Sequence, residues 1–262
     1  MLANYHTHTA RCHHATGSDE EYIQKAIAEG LKILGFSDHA PYIYPDGYIS
    51  YYKMQPIEAG EYLYSLSELR EKYKDYIKIY IGYEAEYYPE IWNETVEFWK
   101  NANSPEYLIL GQHFSTEEYA PVGERHHSTA GTEDCAKLVD YTNLVIDAIN
   151  TDKFTYVAHP DVFNFFGDED FYREQIKRLV LAANAKNVPL EINVLGLETK
   201  RAYPSPIFWD EASKFNPRVV IGCDAHAPRD VADKNAVLNA LRFADKYKLN
   251  VIEEVEIVNP FK

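Results

Sequence analysis

Seven short apolar runs, at 2–5, 33–37, 77–83, 107–111, 154–158, 188–193 and 219–223, recur along the chain between segments with helical signals. Runs of this length bounded by turn or polar residues read as buried strands. The segments between them read as helices. Ser18 and Glu21 form a capping box, and Tyr22, Ile23, Ala26 and Ile27 give one apolar face before Gly30 stops the helix. Phe171, Ile176, Leu179, Val180 and Ala183 recur at three- and four-residue steps, as do Val237, Ala240, Leu241 and Ala244. Strand, helix, strand repeated in this way implies parallel pairing, because parallel neighbours need a long crossover. With 262 residues, 46% of them hydrophobic, and no Gly/Ser linker or low-complexity tract, the expectation is one α/β domain spanning 1–262. Two stretches, 40–57 and 114–131, are rich in Tyr, Pro, Gly and His with weak periodicity, and long loops of this kind usually cover a site.

The ends of the runs carry the chemistry. His6-Thr7-His8 follows the first, Asp38-His39 the second, Glu84 the third, His113 the fourth, His159-Pro160-Asp161 the fifth and Asp224-Ala225-His226 the seventh. In a parallel barrel the C-terminal strand ends share one rim, so residues as distant as His6 and His226 would meet in one pocket. A histidine taken singly is more often hydrogen-bonded or on the surface than a ligand. Repetition at strand ends reverses that reading. The His6-x-His8 spacing puts both imidazoles on one face of an extended strand. Imidazole and carboxylate donors without thiolates suit zinc, manganese or ferrous iron in a catalytic site with open positions. Glu84 has two oxygens and can bridge two ions, and clustered divalent ions can acidify a shared water and clamp a phosphoester. His13 and His14 compete for one ligand position in the loop after the first run. His126 and His127 occupy an irregular loop and read as surface or substrate contacts.

Composition narrows the setting. The chain has 26 Lys and Arg against 41 Asp and Glu, a formal charge of −15, which argues against nucleic-acid binding by a broad basic surface. No run of about 18 apolar residues is present, and the start Met1-Leu2-Ala3-Asn4 lacks the pattern of an export signal, so the expectation is a soluble, unexported protein. Cys12, Cys135 and Cys223 are too few and too scattered for a disulfide framework or a thiolate zinc site, which points to a reducing cytoplasm. Cys223 reads as a small buried residue.

Six motifs in fixed order carry a family resemblance: His6-Thr7-His8-Thr9 with Cys12 and His14; Gly35-Phe36-Ser37-Asp38-His39-Ala40-Pro41; Gly82-Tyr83-Glu84; Gly111-Gln112-His113; His159-Pro160-Asp161; and Gly222-Cys223-Asp224-Ala225-His226. Over nearly its whole length the chain resembles the polymerase and histidinol phosphatase (PHP) family, and within it the stand-alone histidinol-phosphatases. The resemblance implies an α/β fold, a distorted (β/α)7 barrel, holding three divalent metal ions. Carried onto this sequence, it implies a first metal site of His6, His8, Glu84 and Asp224, with Glu84 bridging to a second completed by His113 and His159. His14, His39 and His226 would form the third, the family's spacing selecting His14 over His13. Asp38, Asp161 and Thr7 are read as partners that orient ligand imidazoles. The reaction implied is hydrolysis of L-histidinol phosphate to L-histidinol and phosphate, a step of histidine biosynthesis. A metal-bridging hydroxide would attack phosphorus in line, and the leaving alkoxide would be held by a metal or protonated by His226 or a bound water.

Three divalent ions against the carboxylates of Glu84 and Asp224 would leave the pocket at about +4, so an acidic chain can still attract phosphate. An arginine fork should pair with phosphate oxygens. Arg125, in the loop after His113, is the first choice, Arg201, after the sixth run, the second, and Arg11 ranks below both. Glu84, Asp224, His226 and Arg125 are the catalytic candidates, and Arg125 and Arg201 the substrate-binding ones. Tyr42, Tyr44, Tyr48, Tyr51, Tyr52 and Tyr119 could wall a pocket for a flat group, and core packing explains them equally well. Glu117 and Glu118 read as solvated loop residues ahead of contacts to a substrate amine. The expected partner is a small-molecule phosphate monoester, with neither nucleic acid nor membrane. The alternative is a PHP-type phosphoesterase acting on another small ester, a nucleotide or an oligonucleotide end. An amidohydrolase-like barrel is disfavoured because the fourth run ends in His113 rather than a bridging lysine or carboxylate. A metal-stabilised binding module is the non-enzymatic reading.

Overall fold

The computed structural model describes residues 1–102 and 104–262. Eight parallel strands, hydrogen-bonded in chain order, form one sheet: β1 (Ala3–Asn4), β2 (Ile33–His39), β3 (Lys78–Ala85), β4 (Tyr107–Leu110), β5 (Tyr156–Val157), β6 (Leu190–Asn193), β7 (Arg218–Gly222) and β8 (Asn250–Val251). The crossovers carry, in order, α1 (Asp19–Glu29), α2 (Ala59–Tyr73), α3 (Trp92–Asn101), α4 (Cys135–Asn150), α5 (Glu169–Ala185), the pair α6 (Val194–Glu198) and α7 (Pro206–Ser213), and α8 (Lys234–Lys246). The seven apolar runs thus coincide with β1 to β7. The eighth strand is an addition to that count, since two paired residues leave no periodic signal. Helix α1 begins and ends as its sequence requires: Ser18 and Glu21 cap each other reciprocally, and Gly30 takes the left-handed conformation at φ +88°.

Period-two alternation sorts the strand side chains between two cores. Ile79, Ile81 and Tyr83 of β3 and Leu108 and Leu110 of β4 pack with helix residues such as Tyr62, Trp99 and Val145. Tyr107 and Ile109 turn the other way and join Ala3, Tyr5, Ile33, Tyr156 and Val220 in a smaller cluster inside the curled sheet. The same alternation turns Glu84, between Tyr83 and Ala85, to the inside.

β7 changes neighbours along its length. Its first residues pair with β8, Arg218 to Asn250 and Val219 to Val251. Beyond its end, Ala225 bridges to Thr7, with His8 N–H donating to the Ala225 carbonyl at 3.0 Å and Ala225 N–H to the His6 carbonyl at 3.2 Å. Seven strands therefore curl around one mouth at their C-terminal ends, and β8 extends only the opposite end. This is the distorted (β/α)7 barrel expected from the sequence. Among the described residues no helix is long and apolar enough to cross a membrane.

Candidate metal centre

The first strand stops at Asn4, and His6 and His8 follow it in the extended segment that Thr7 ties to Ala225. Both imidazoles are fully buried and aim the same way. His6 Nε2 lies 3.5 Å from Glu84 Oε1 and 3.5 Å from Asp224 Oδ1. His8 Nε2 lies 3.5 Å from Glu84 Oε2 and 3.1 Å from the same Asp224 oxygen. Their other nitrogens are held from behind: His6 Nδ1 is 2.8 Å from Glu191 Oε1, and His8 Nδ1 is 3.3 Å from Asp38 Oδ1. Thr9 donates its hydroxyl to the second Asp38 oxygen.

Glu84 occupies the centre. Its Oε1 lies 2.9 Å from His159 Nε2 and 3.6 Å from His113 Nε2, and its Oε2 lies 3.0 Å from His39 Nδ1. Gly111 makes room for it, since a Cβ there would fall 1.9 Å from Oε1. Towards the mouth, His14, His39 and His226 form a second group, with His14 Nδ1 2.7 Å from the Cys12 carbonyl and His226 Nδ1 2.9 Å from the Asp224 carbonyl. Two of these residues hold left-handed backbones that side chains other than glycine seldom adopt, His159 at φ +29° and Asp224 at φ +51°. The His159 backbone is secured by its N–H, which donates to Glu191 Oε2 at 2.9 Å.

Charge and burial work against each other here. Burial alone would raise Glu84, yet the imidazoles of His39, His113 and His6 hold it well below the usual carboxylate range. Asp224 is likewise held low, against its burial, by His6, His8 and His226. His39 is pushed down to about 3 and His226 to about 4, in both cases by burial first and then by neighbouring imidazoles. Both shifts favour the neutral ring, the form that offers a lone pair.

The donor set suits divalent cations. His6 Nε2, His8 Nε2 and Glu84 Oε2 are buried without a hydrogen-bond partner among the described residues, and the three side chains bring one donor atom each within 4.8 Å of one another. Leaving such groups unpaired costs about 1–3 kcal/mol each, a cost that a shared cation removes. His39, Glu84 and His113, and His6, His159 and Asp224, form further trios of the same kind. Each of the nine residues expected as ligands belongs to at least one such trio. His13, by contrast, points outward toward Glu58 at 4.0 Å.

A cavity of about 320 Å³ opens over this centre, lined among others by His14, His39, His113, His127, Arg201 and His226. Several expectations change. Arg125 is not among its lining residues: its Nε donates to the Ala120 carbonyl at 2.6 Å, and its guanidinium stacks on Tyr48, donating to that hydroxyl at 3.1 Å. Arg201, ranked second by sequence, is exposed on the cavity wall, with one nitrogen 2.7 Å from the Tyr203 hydroxyl. Arg11 is occupied by Asp19 and Glu61 and braces α1 against α2. Among the described residues Asp161 bonds to no imidazole. It accepts from Ser205 N–H and Trp209 Nε1 at the start of α7, and burial pushes its carboxyl up to about 7. The Thr7 hydroxyl accepts from the Asn4 amide instead. Of the loop tyrosines, Tyr52 lines the cavity, Tyr51 is exposed, and Tyr42 and Tyr44 are buried. His127 also lines the cavity, whereas His126 is buried against Phe163. Glu118 is not solvated but 1% exposed, paired with the buried Lys53.

Three acidic or basic residues at the site escape sequence reading: Glu191 on β6, and Lys53 with Glu86. A signal existed for Glu191, the one charge inside the apolar run at 188–193. Glu86, two residues beyond Glu84 and just past the end of β3, lines the same cavity. Lys53, one residue of the Tyr-rich loop at 40–57, carried no signal of its own.

The PHP domain family matches residues 4–194. A protein of Deinococcus radiodurans named "Probable histidinol-phosphatase" is 28% identical over 255 residues, covering 94% of this chain and 92% of its own length. One of the same name from Schizosaccharomyces pombe is 26% identical over 259 residues, covering 88% and 82%. Among solved structures, a histidinol phosphate phosphatase of Lactococcus lactis, complexed with zinc, L-histidinol and phosphate, superposes with a TM-score of 0.72 at 19% identity, covering 100% of this chain and 98% of that one, a likeness of fold. With its family match covering most of the sequence and its six motifs gathered on one rim, the chain belongs to the PHP family.

Proposed function

We propose that this chain, acting as one unit over 1–262, is a metal-dependent phosphomonoesterase that hydrolyses L-histidinol phosphate to L-histidinol and phosphate. The observation that carries the reading is the convergence of nine imidazole and carboxylate side chains, from six strand ends, beneath a cavity whose wall carries Arg201. The names of the two curated relatives and the ligands of the Lactococcus structure support L-histidinol phosphate as the substrate. Free cysteines at Cys12, Cys135 and Cys223 support a reducing, cytoplasmic setting.

His6, His8, Glu84 and Asp224 would hold one ion, Glu84 with His113 and His159 a second, and His14, His39 and His226 a third. When bound, zinc, manganese or iron ions supply positive charge for the phosphoryl oxygens and acidify water into the attacking hydroxide. The protein's own part is placement. Glu191 and Asp38 fix the ring orientations of His6 and His8, so that both Nε2 atoms face Glu84 and Asp224. Arg201 presents its guanidinium to the ester from the wall, where its planar fork matches phosphate oxygens. His226 commits Nδ1 to the Asp224 carbonyl, leaving Nε2 as the ring atom that faces the cavity. If an ion in the third site took up that nitrogen, His226 would have no lone pair left for proton transfer, and the proton for the leaving alkoxide would come from water.

Phosphate release by purified protein reloaded with manganese, zinc or iron tests this directly. Histidinol phosphate should be turned over far faster than an aryl phosphate or a short oligonucleotide. Release from the oligonucleotide alone would replace the proposed substrate with the alternative one.

A further inference from the structure

On the wall of the same cavity, between the two long loops, lies an ion cluster of Lys53, Glu86 and Glu118 to which the reaction as proposed assigns no part. Lys53 is buried, with Nζ 2.5 Å from Glu86 Oε1 and also against Glu118 Oε2. The Tyr44 hydroxyl donates to Glu118 at 2.8 Å and the Tyr88 hydroxyl to Glu86 at 2.7 Å. Glu86 also reaches the metal centre. Its Oε2 accepts the His113 backbone N–H at 3.2 Å, and its Oε1 lies 3.4 Å from His113 Nδ1. With Nδ1 engaged by Glu86, His113 turns Nε2 toward Glu84 Oε1. Two carboxylates buried around one ammonium repel each other, and their separation depends on that cation.

We propose that Lys53 is a positioning residue for His113 and acts through Glu86. Its ammonium offsets the repulsion between Glu86 and Glu118, which keeps Glu86 where it holds Nδ1 of His113 and aims Nε2 into the centre. Because Lys53 comes from the loop at 40–57 and Glu118 from that at 114–131, one buried cation pins both loops and a ligand of the centre. The inference rests on the reading of His113 as a metal ligand.

The test is a zinc titration of the metal-free full chain in competition with a chromogenic chelator, with thermal unfolding of every variant as a fold control. Wild type should take up three equivalents. Glu86→Gln and Lys53→Met should each weaken one equivalent by about 10- to 100-fold and leave the others unchanged. Glu118→Gln should behave as wild type. The double variant Lys53→Met/Glu118→Gln should recover most of what Lys53→Met loses, since no second carboxylate then repels Glu86. A purely structural role would instead lower the unfolding temperature and weaken all three equivalents together, rather than lose and recover one of them. Unweakened binding by Glu86→Gln, or a double variant no better than Lys53→Met, overturns the proposal, and the near-isosteric Glu86→Gln decides it alone if Lys53→Met does not fold. Wild type lacking the second equivalent would overturn the reading of His113 and this inference together.

Discussion

Glu191 Oε1 lies 2.8 Å from Nδ1 of His6, and the other oxygen of that carboxylate accepts the backbone N–H of His159 at 2.9 Å. It also accepts from the Asn193 amide, which reaches Asp224 Oδ2 at 3.1 Å. One buried acid thus braces a ring at the start of the chain, the left-handed backbone at His159 and, through Asn193, the carboxylate after β7. The sixth strand, whose end supplies no donor to the centre among the described residues, supplies its support. Gly222 on the neighbouring strand allows this, because a Cβ there would fall 1.7 Å from Glu191 Oε1.

Glu191→Gln should lower metal affinity and phosphatase activity by about 10- to 100-fold while the fold persists. The amide offers one acceptor where the carboxylate serves both His6 Nδ1 and the His159 N–H, so one contact becomes donor against donor. Metal content after dialysis, read beside far-ultraviolet circular dichroism, checks it. Wild-type metal content in the variant would remove Glu191 from the support of the centre.

Gly111→Ala offers a test of Glu84 that leaves the carboxylate itself in place. The added methyl carbon would lie 1.9 Å from Oε1, so either Glu84 or the end of β4 must move. If Glu84 serves two ions, the variant should lose close to two equivalents of metal, as should Glu84→Gln, and activity should fall at least about 100-fold, the scale expected for a misplacement of about 1 Å. Retention of full metal content and turnover by both variants would end the bridging assignment.

The strands and the centre were legible in the sequence for the same reason. Buried parallel strands must be apolar runs, and a side chain that turns from a strand end into the centre interrupts such a run with a conspicuous His, Asp or Glu, as at His6, Glu84 and Asp224. What was not legible depends on partners distant in sequence. Arg125 and Arg201 are indistinguishable as letters, and only the fold shows one stacked on Tyr48 and the other on the cavity wall. Glu118 read as solvated because its counter-ion, Lys53, belongs to a different loop. Asp161 follows His159-Pro160 and suggested an imidazole partner, whereas the loop before α7 brings Ser205 and Trp209 to it.

The two arginines separate in kinetics. Arg201→Met should lower kcat/KM for the phosphate ester by about 10- to 100-fold, the loss of a charged hydrogen bond of about 1.5–3 kcal/mol. Arg125→Met removes a loop brace outside the cavity and should leave kcat/KM within about 3-fold of wild type, at a cost of no more than about 1 kcal/mol of stability. Steady-state assays of both variants decide the order, and a larger kinetic loss in Arg125→Met would restore the ranking that sequence alone favours.

Removing metal should destabilise the fold as well as abolish turnover. His6 Nε2, His8 Nε2 and Glu84 Oε2 are buried and make no hydrogen bond among the described residues, so a cation held between them would offset their desolvation. Each ion at about a hundredfold excess over its Kd adds roughly 2.7 kcal/mol, and for a chain of this size even one such increment corresponds to a Tm shift of about 5–10 °C. Calorimetry of the chelator-treated protein should show a lower Tm, restored on adding back zinc or manganese. Equal Tm values with and without metal would mean that the converging side chains bind no ion tightly, and the proposed chemistry would lose its foundation.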